Sequence, residues 1–573
     1  MRNYDRVNAN VPPDIDRKRA HIIGGGLGGL ATAAYLATDG HMPGHHITVY
    51  EQLDVVGGAM DAAGDAERGF TSRAERELEA RMECLWDLFG RVPSLIRPGR
   101  TVLDETREAN LREPILCKLR LMEKCGQKSD YEAMRLSPDD TRAFFKLLVT
   151  PEEQLEDLAI KDWFTPAYTD TNFWYCWSTM LAFKDYHSLI EFRRYLTRFI
   201  HIVERIQEHR YILHTEFNEF DSMIKPLLVW LQGMGVRFET STEVTDLDLH
   251  EDNGQITVTG LHIRNTRGKR KLALTADDLV VLTTGSLTQN ATMGSTHKVA
   301  PINRDTADRG CFTLWEKLAA RDSRFGNPAR FISDIDRSNW ISFFVTVKDD
   351  PTLFDHLERL TGNKPGTAGV VTIKDSSWLM SYIPYNKYYP NQPDTVNVFW
   401  AYAIYSDRPG DFIKKAMRDC TGAEMMQELL YHLGLKDQID SILPHCHVST
   451  AMMPYVTSQF MPRKISDRPK VIPDGCTNLA LIGQFIEIPD DCVFTVETSV
   501  RTGMMAAYGL LKLDKPVPPV HQSKYDLRAI VGGLKQMTDL QSFSAADFPA
   551  EILEMLQPEL ALPLLNAVPP YPR

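Results

Sequence analysis

Residues 21–30 read His21-Ile22-Ile23-Gly24-Gly25-Gly26-Leu27-Gly28-Gly29-Leu30, a short apolar strand that runs directly into a glycine-rich turn. The segment that follows the turn, Leu30 to Leu36, is predicted to be a helix. We expect Gly24 to form the tight turn, Gly26 to let the backbone approach a pyrophosphate, and Gly29 to let the helix pack closely on the strand. The helix amino terminus would present N–H groups and positive dipole to the phosphates.

A second predicted strand, Ile47 to Tyr50, ends on an acid, Glu51, which lies 22 residues after Gly29. At this spacing a carboxylate accepts hydrogen bonds from a ribose 2′-hydroxyl. The same carboxylate would repel a 2′-phosphate, so the pattern favours FAD or NAD over NADP. A glycine-rich surface turn is the alternative, but it gives no reason for the acid. The strand, turn, helix, strand and acid in this order predict a dinucleotide-binding α/β unit.

The bulk composition is that of a globular protein with more than one domain. The chain has 573 residues, 43% of them hydrophobic and 24% charged, and its formal net charge is −12. This negative charge argues against a nucleic-acid partner, because such partners are held through their phosphates.

The sequence also predicts a cytoplasmic protein. No apolar run approaches the roughly 20 residues that a membrane-spanning helix needs, and Met1 to Arg19 lacks the apolar segment of a signal peptide. The nine cysteines include no C-x-x-C pair, which indicates free thiols. His445 and His447 form a lone H-x-H, which we interpret as structural, so no metal site is predicted.

Hydrophobic periodicity predicts several elements. The predicted helices are Arg73 to Gly90, His187 to Glu208, Asp221 to Met234 and Val496 to Leu511. The predicted strands are 236–240, 243–247, 255–263, 279–283, 340–347, 396–405 and 479–483. The strands at 279–283 and 479–483 end in glycine turns, as expected where a dinucleotide fold returns to its cofactor.

These elements predict a discontinuous cofactor domain with an inserted substrate domain. The expected divisions are 19–97 (FAD-binding, first part), 98–215 (largely helical substrate or lid region), 216–300 (FAD-binding, second part), 301–470 (substrate-binding, mixed α+β), 471–512 (FAD-binding, last part) and 513–573 (carboxy-terminal segment).

Five segments carry a resemblance to a known family. They are Glu83 to Phe89, Asn172 to Ser188, Asp407 to Asp411, Tyr431 to Gly434 and Gly483 to Glu497. With them, the chain from about residue 19 to about 512 resembles the oleate hydratase family, also called myosin-cross-reactive antigens. The resemblance implies a Rossmann-like, two-dinucleotide-fold flavoprotein. It also implies a hydro-lyase that adds water to the cis-9 double bond of oleate, giving 10-hydroxystearate.

The resemblance implies FAD as cofactor, with a structural and electrostatic role and no net redox change. The residues expected to bind it are Gly24, Gly26, Gly29, Glu51, Gly57, Gly58, Met60, Arg76, Val244, Gly285, Ser286, Thr495, Val496 and Glu497.

Hydrating an isolated alkene requires a proton donor on one face and an activated water on the other. By resemblance, Glu77 aligns with the family's water-activating glutamate and Tyr195 with its proton-donating tyrosine. On pattern alone, Glu77 would belong to a solvated, charge-rich helix face, and Tyr195 would be a core tyrosine on an apolar helix stripe.

The chain departs from the family at two places. Ala74 and Glu75 stand where the family has two glycines, which predicts a stiffer loop and altered FAD affinity or activation. At the fatty-acid head, Glu219 replaces a glutamine, and an ionised Glu219 would repel a carboxylate. The family's Thr, Asn and His are not retained in the 381–389 segment, so Tyr385, Lys387 and Tyr389 are the expected head-group residues.

Other functions stay open. One is an FAD-dependent redox enzyme such as an amine oxidase, and a second is a fatty-acid double-bond isomerase. A third is a non-catalytic fatty-acid carrier that retains a flavin site. For the hydratase, the expected partner is an unsaturated fatty acid (oleate), and transient membrane contact is compatible with so apolar a ligand. The chain is expected to be a monomer or a homodimer.

Overall fold

The computed structural model describes residues 11–73, 75–129, 133–367, 369–548, 550, 554 and 558–569. The strands of this part of the chain are β1 Arg19–Ile23, β2 Ile47–Tyr50, β3 Ala63–Asp65, β4 Gly69–Thr71, β5 Leu78–Glu79, β6 Leu121–Glu123, β7 Gln127–Lys128, β8 Ile212–Leu213, β9 Arg237–Glu239, β10 Thr242–Asp252, β11 Gln255–Asn265, β12 Gly268–Ala273, β13 Asp278–Thr283, β14 Thr292–Ser295, β15 Trp340–Lys348, β16 Val371–Ile373, β17 Met380–Tyr385, β18 Val396–Ala403, β19 Cys446–Met453 and β20 Leu479–Ile482.

The α-helices of the same residues are α1 Leu27–Ala37, α2 Glu83–Phe89, α3 Val102–Arg112, α4 Pro138–Val149, α5 Asn172–Leu181, α6 Leu189–Val203, α7 Lys225–Gly233, α8 Cys311–Ala319, α9 Ala329–Ile332, α10 Ile335–Ser338, α11 Thr352–Thr361, α12 Gly422–His432, α13 Ile439–Ile442, α14 Val496–Leu511, α15 Leu527–Thr538 and α16 Pro558–Asn566.

A five-stranded parallel sheet with the order β20-β13-β1-β2-β9 forms the nucleotide-binding unit. Strands β1, β2, β13 and β20 are short, mainly apolar and largely buried runs, as expected in a parallel sheet, whereas the edge strand β9 is partly exposed. Helices α1 and α14 pack together against this sheet. The predicted Rossmann-like α/β fold is confirmed, and the predicted helix from Val496 to Leu511 has the observed bounds.

The second large sheet has eight strands in the order β14-β19-β15-β18-β17-β16-β6-β7. All of its pairs are antiparallel except β16 with β6. Its strands β6 and β7 come from the range 98–215, which was predicted to be largely helical. The sheet of the predicted substrate domain therefore recruits chain from a separate range. The domain divisions themselves stay a prediction.

Helices α4 to α6 enclose a second core that is rich in aromatic side chains, including Phe144, Trp174, Trp177, Phe192 and Tyr195. The predicted amphipathic helix at 187–208 is confirmed over α6. It ends at Val203 and bends at Phe199, whose φ and ψ of −113° and 17° are not helical.

The prediction of one helix from Arg73 to Gly90 is wrong. Only Glu83–Phe89 is helical. Leu78 and Glu79 form a strand instead, and they pair with Leu213 and Ile212. Because the partner strand lies more than 130 residues away, local periodicity could not reveal it.

The carboxy-terminal segment packs back onto the aromatic core around α6. Helix α15 lies against α6, and the Asn566 side chain hydrogen-bonds both backbone groups of Phe543 at 2.7 and 3.0 Å. The apolar positions of the tail from Asp547 to Leu565 suit either an amphipathic docking segment or a packing helix, and the tail falls partly outside the described residues. Leu562 and Leu565 in its described part pack on the aromatic core, which favours packing.

Candidate functional site

The glycine turn after β1 is shaped by close backbone approach. Gly24 has a φ of +104°, and a Cβ at this position would lie 2.6 Å from Thr283 Oγ1. A Cβ at Gly29 would lie 2.1 Å from the carbonyl oxygen of Gly24, and one at Gly58 would lie 2.9 Å from the Cα of Gly26. Side chains at these positions would therefore close the cleft or push α1 off the sheet.

The cleft beside this turn has about 400 Å³ of space and suits a dinucleotide. No side chain caps the amino terminus of α1 at Gly26, so its N–H groups face the cleft, ready for an anion. The buried Thr283 hydroxyl on its wall has no hydrogen-bond partner among the described residues. The Glu51 carboxylate, whose pKa burial raises, accepts hydrogen bonds from the N–H groups of Gly25 (2.8 Å) and Leu53 (2.9 Å). Each of its oxygens keeps a lone pair for a ribose hydroxyl.

Most residues expected to bind the cofactor line this cleft. They are Gly24, Gly26, Glu51, Gly57, Gly58, Met60, Arg76, Val244, Gly285, Ser286, Thr495 and Val496. Gly29 does not line it and instead permits the packing of α1 on the sheet, which is the role expected for it.

Glu497 does not line this cleft, and its carboxylate is held by other parts of the chain. It accepts hydrogen bonds from the N–H groups of Cys84 (3.1 Å) and Leu85 (2.8 Å), and it pairs with Arg501 at 2.8 Å. An anion at the first turn of a helix is stabilised by the helix dipole. Glu497 therefore joins α14 to α2, and its expected part in cofactor binding stays a prediction.

Sequence reasoning missed Gln484, which lines the cleft directly after β20. Its amide nitrogen donates to the carbonyl of Thr495 (2.9 Å) and to the Ser499 hydroxyl (2.8 Å). The position of Gln484 just after a predicted parallel strand could have indicated it, since ligands of parallel sheets bind beyond the carboxyl ends of the strands.

Two further cavities lie beside the cleft, and we name them here. The reaction cavity is lined by Glu75, Arg76, Glu77, Leu181, Tyr195, Phe199, Trp340, Trp400, Tyr402, Phe494, Thr495 and neighbouring side chains. The head cavity is lined by Glu75, Arg76, Glu77, Glu113, His209, His214, Glu216, Tyr385, Lys387, Tyr388 and neighbouring side chains. Residues 75–77 border both, and Arg76 borders the cofactor cleft as well. The three spaces are thus contiguous at this loop.

Glu77 and Tyr195, 118 residues apart in sequence, line the same reaction cavity. Its walls are otherwise mainly apolar and aromatic, so a bound hydrocarbon chain would exclude water. The solvated helix face that Glu77 would occupy on pattern alone does not exist, because no helix forms there.

Glu77 is paired with a buried histidine that the sequence did not single out. His209 Nε2 lies 3.0 Å from Glu77 Oε1, and the backbone N–H of Val370 donates to His209 Nδ1 at 3.4 Å. Since Nδ1 accepts, Nε2 carries the proton that faces Glu77. Burial lowers the pKa of His209, which keeps the ring neutral, although Glu77 opposes this shift. A Cβ at Gly369 would lie 2.3 Å from His209 Nδ1, so that glycine makes room for the ring.

Tyr195 is buried, and its hydroxyl donates to the carbonyl oxygen of Val493 at 2.5 Å. Burial raises the pKa of Tyr195 well above its usual value, so the phenol stays protonated at neutral pH. The rings of Phe183, Phe199 and Phe460 surround it, with centroids within 6 Å. The protonated phenol has a proton to donate to a hydrocarbon. Its burial among aromatic rings equally fits the alternative of a core tyrosine.

Buried ion pairs hold the helix that carries Tyr195. Glu191 on α6 lies 2.8 Å from Arg463 and 3.1 Å from Arg468. Burial alone would raise the pKa of Glu191, but these arginines lower it to about 2. Such pairs are costly to break one partner at a time, so they lock the position of α6.

At the head cavity the four expected substrate residues separate into two groups. Tyr385 and Lys387 line it, and Lys387 is 51% exposed and lies 3.9 Å from Asp394. Glu219 lies behind its wall and accepts a hydrogen bond from the backbone N–H of Arg76 at 2.8 Å. Tyr389 also lies outside the lining and donates to the carbonyl of Thr71 at 2.9 Å.

The loop prediction concerned Ala74 and Glu75. Ala74 lies outside the described residues. Glu75 contacts the Tyr385 hydroxyl, which ties this loop to β17. The effect on loop mobility and FAD affinity stays a prediction.

One cluster in the described residues brings three metal-binding side chains together: Asp411, Glu428 and His432. The Glu428 carboxylate already accepts hydrogen bonds from the N–H groups of Asp411, Phe412 and Ile413. These contacts explain the cluster as a loop anchor. In the same part of the chain, no helix is long and apolar enough to cross a bilayer.

Three comparisons with known proteins give the family. Residues 17–508 match the model of the MCRA family. The chain is 36% identical over 563 residues to an oleate hydratase of Streptococcus pyogenes serotype M49 (strain NZ131), covering 96% of this chain and 95% of that protein. It is 32% identical over 573 residues to a linoleate hydratase of Lactiplantibacillus plantarum, covering 91% and 99%.

A solved structure of putrescine oxidase bound to putrescine shares the fold alone. Its TM-score is 0.51 at 13% identity, and the match covers 86% of this chain and 99% of that chain. The resemblance expected from sequence is confirmed by the two hydratases and the family model, and the chain therefore belongs to the MCRA family.

Proposed function

We propose that this protein binds FAD and hydrates the cis-9 double bond of oleate to 10-hydroxystearate. The observation that carries the proposal is the presence of Glu77 and Tyr195 on one apolar cavity that adjoins a dinucleotide cleft. The similar oleate and linoleate hydratases support the reaction class.

The proposed reaction places an acid and a base on the two faces of the alkene. The Tyr195 hydroxyl gives its proton to C9, and the double bond supplies the electron pair of the new C–H bond. Water attacks C10 as positive charge develops there, and Glu77 accepts the proton that this water releases. The Glu77 carboxylate also stabilises the developing cation, in a site where water does not screen it. Proton return from Glu77 to Tyr195 completes the cycle, with no net oxidation.

His209 orients Glu77 in this scheme. Its Nε2 lies 3.0 Å from one carboxylate oxygen of Glu77 and makes no hydrogen bond of normal geometry among the described residues, so the contact holds that oxygen electrostatically and leaves the other for the attacking water. Because Val370 holds Nδ1 as an acceptor, the ring cannot reverse its tautomer without losing a hydrogen bond.

FAD, when bound, would supply a planar wall and its charge beside the reaction cavity. The residues proposed to hold it are the lining residues given above, with Glu51 at the ribose and the α1 amino terminus at the phosphates. Arg76, Thr495 and Val496 line both spaces, and the Arg76 guanidinium donates to the carbonyls of Glu75 (2.8 Å) and Ala59 (3.2 Å).

The test is mass spectrometry of products from FAD-loaded, reduced protein incubated with oleate in H₂¹⁸O. We expect a product heavier by one labelled water and the loss of this product in Glu77→Ala and Tyr195→Phe. Product without label would indicate an isomerase, and stoichiometric oxygen consumption would indicate a redox enzyme. Bound oleate with no turnover would indicate a carrier.

A further inference from the structure

The peptide group between Val493 and Phe494 makes contacts toward two sites at once. Its carbonyl oxygen accepts the hydrogen bond from the Tyr195 hydroxyl at 2.5 Å. Its N–H, which belongs to Phe494, donates to Oε1 of Gln484. Tyr195 lines the reaction cavity, and Gln484 lines the cofactor cleft. One planar unit therefore joins the proposed proton donor to a side chain of the cleft.

The backbone conformation at Phe494 depends on its surroundings. Its φ is +72°, in the left-handed region that bulky residues rarely adopt. A residue in such a conformation stays there only where neighbouring groups fix it. The Gln484 side chain does so from both sides: it accepts from the Phe494 N–H, and its Nε2 donates to the carbonyl of Thr495 (2.9 Å) and to the Ser499 hydroxyl (2.8 Å). The amide thus clamps this turn to α14.

The chain just before this peptide is anchored by other groups. The carbonyl oxygen of Cys492 accepts hydrogen bonds from the hydroxyls of Thr495 (2.9 Å) and Thr498 (2.5 Å), both at the amino terminus of α14. These bonds hold residue 492 without any part of Gln484. What the Gln484 contact adds is the orientation of the single peptide at 493–494, and with it the direction of the carbonyl that faces Tyr195.

From these contacts we propose that Gln484 is a positioning residue for the proton donor: through the 493–494 peptide it fixes the carbonyl that holds the Tyr195 oxygen at the wall of the reaction cavity. The inference rests on the proposed function and adds to it a side chain of the cofactor cleft. A general acid must lie within hydrogen-bond reach of the atom that it protonates, and a small displacement of a reacting group lowers the rate strongly.

This role predicts a change in kcat without a change in KM. Gln484 is not among the described residues that line the reaction cavity or the head cavity, so its loss should leave the binding of oleate intact. The turnover step should slow, because the Tyr195 oxygen loses its fixed partner. A residue that served only to bind flavin would instead act through the cofactor affinity.

The test uses three variants of the full chain at saturating FAD and oleate. Gln484→Met keeps the length of the side chain and removes the acceptor, and kcat should fall about tenfold with KM unchanged. Gln484→Glu retains an acceptor oxygen for the Phe494 N–H and should recover part of the rate. Gln232→Met makes the same change at an exposed position of α7 and is the matched control, with no change expected.

Hydrogen exchange of the 492–496 segment, followed by mass spectrometry, tests the contact without turnover. The Phe494 amide loses its acceptor in Gln484→Met, so the segment should exchange faster than in the wild-type protein. Gln484→Glu should restore slow exchange. Flavin fluorescence titration of the same proteins measures the cofactor affinity separately.

Three outcomes would overturn the inference and leave the proposed hydratase intact: full kcat in Gln484→Met beside an inactive Tyr195→Phe, unchanged hydrogen exchange in Gln484→Met, or a loss of rate that excess FAD restores. The last result would assign Gln484 to flavin binding alone. Absence of product from the wild-type protein, or full activity in Tyr195→Phe, would instead overturn the proposed function and the inference with it.

Discussion

The cofactor cleft and the reaction cavity adjoin each other, yet they are built by different means. In the cleft, the glycines at 24, 26, 29 and 58 act through backbone geometry, where an added Cβ would collide within 3 Å at three of them. In the reaction cavity, the candidate side chains of Glu77 and Tyr195 come from distant segments, and His209, which lines the head cavity, lies 3.0 Å from Glu77. The first kind of site can be predicted from a short stretch of sequence, whereas the second forms only when distant segments fold together.

The sharpest way to test this contrast is to remove one atom from the reaction cavity. Tyr195→Phe should lower kcat by about 10³-fold, within the usual contribution of a general acid. Flavin binding should be unchanged, since Tyr195 does not line the cleft. Product formation and flavin fluorescence titration measure the two effects. Loss of both together would mean that the cavity and the cleft are not separable.

The converse change adds one carbon atom next to the cleft, where α1 packs on the sheet. Gly29→Ala places a methyl group 2.1 Å from the Gly24 carbonyl oxygen, and overpacking of this kind should cost about 3 kcal/mol of unfolding free energy. Flavin binding and hydration should fall together. Gly233→Ala is the control, because a Cβ there meets nothing within 4 Å and lies in α7. A similar thermal midpoint for both variants would contradict the close-packing argument.

Glu83 lies between α6, which carries Tyr195, and α14, which begins at the cofactor cleft. It predicts a pH dependence of the free energy of unfolding. It lies 3.4 Å from Arg198 on α6 and 3.3 Å from Arg501 on α14. Burial, with a contribution from Glu497, raises its pKa from 4.5 to about 7, although Arg198 opposes the shift. A raised carboxyl pKa means that the fold binds the proton more tightly than the unfolded chain does. This stabilisation is complete below about pH 4.5 and is lost as the pH rises through about 7.

Glu83→Gln should therefore flatten the stability profile across this window by about 2 kcal/mol. Thermal unfolding between pH 5 and 8, beside the wild-type protein, measures the change. An equally steep decline in the variant would assign the pH dependence to other groups.

The smallest expected effect concerns the orientation of Glu77. His209→Leu removes the imidazole that lies 3.0 Å from the Glu77 carboxylate, and kcat should fall about tenfold, which corresponds to about 1.4 kcal/mol. KM should not change, because His209 acts through Glu77. His209→Gln, which retains an N–H donor, should recover part of the loss. A change in KM alone would mean that His209 shapes the head cavity instead.

The extent of sequence-based prediction follows the same division. Helix α14 and the Gly24-to-Glu51 unit were predictable, because turn chemistry and periodicity are local. The helix predicted at 73–90 failed because Leu78 and Glu79 pair with a strand near residue 212. The contact of Glu75 with Tyr385 joins residues 310 positions apart, and no local pattern encodes it. Glu77 and Tyr195 were identified through family resemblance, since their own patterns suggested a surface acid and a core tyrosine.

The central place of β1 in its sheet has a consequence for the order in which the protein is made. This strand pairs with β2 and with β13, and β20 adds on the far side of β13. At roughly 5–20 residues per second, the ribosome needs on the order of 10–50 s after β1 to deliver β13. During that interval β1 lacks its neighbour β13. The sheet gains its last strand, β20, only when residues 479–482 are made. A nascent chain must therefore keep its nucleotide-binding strand soluble through most of its own synthesis.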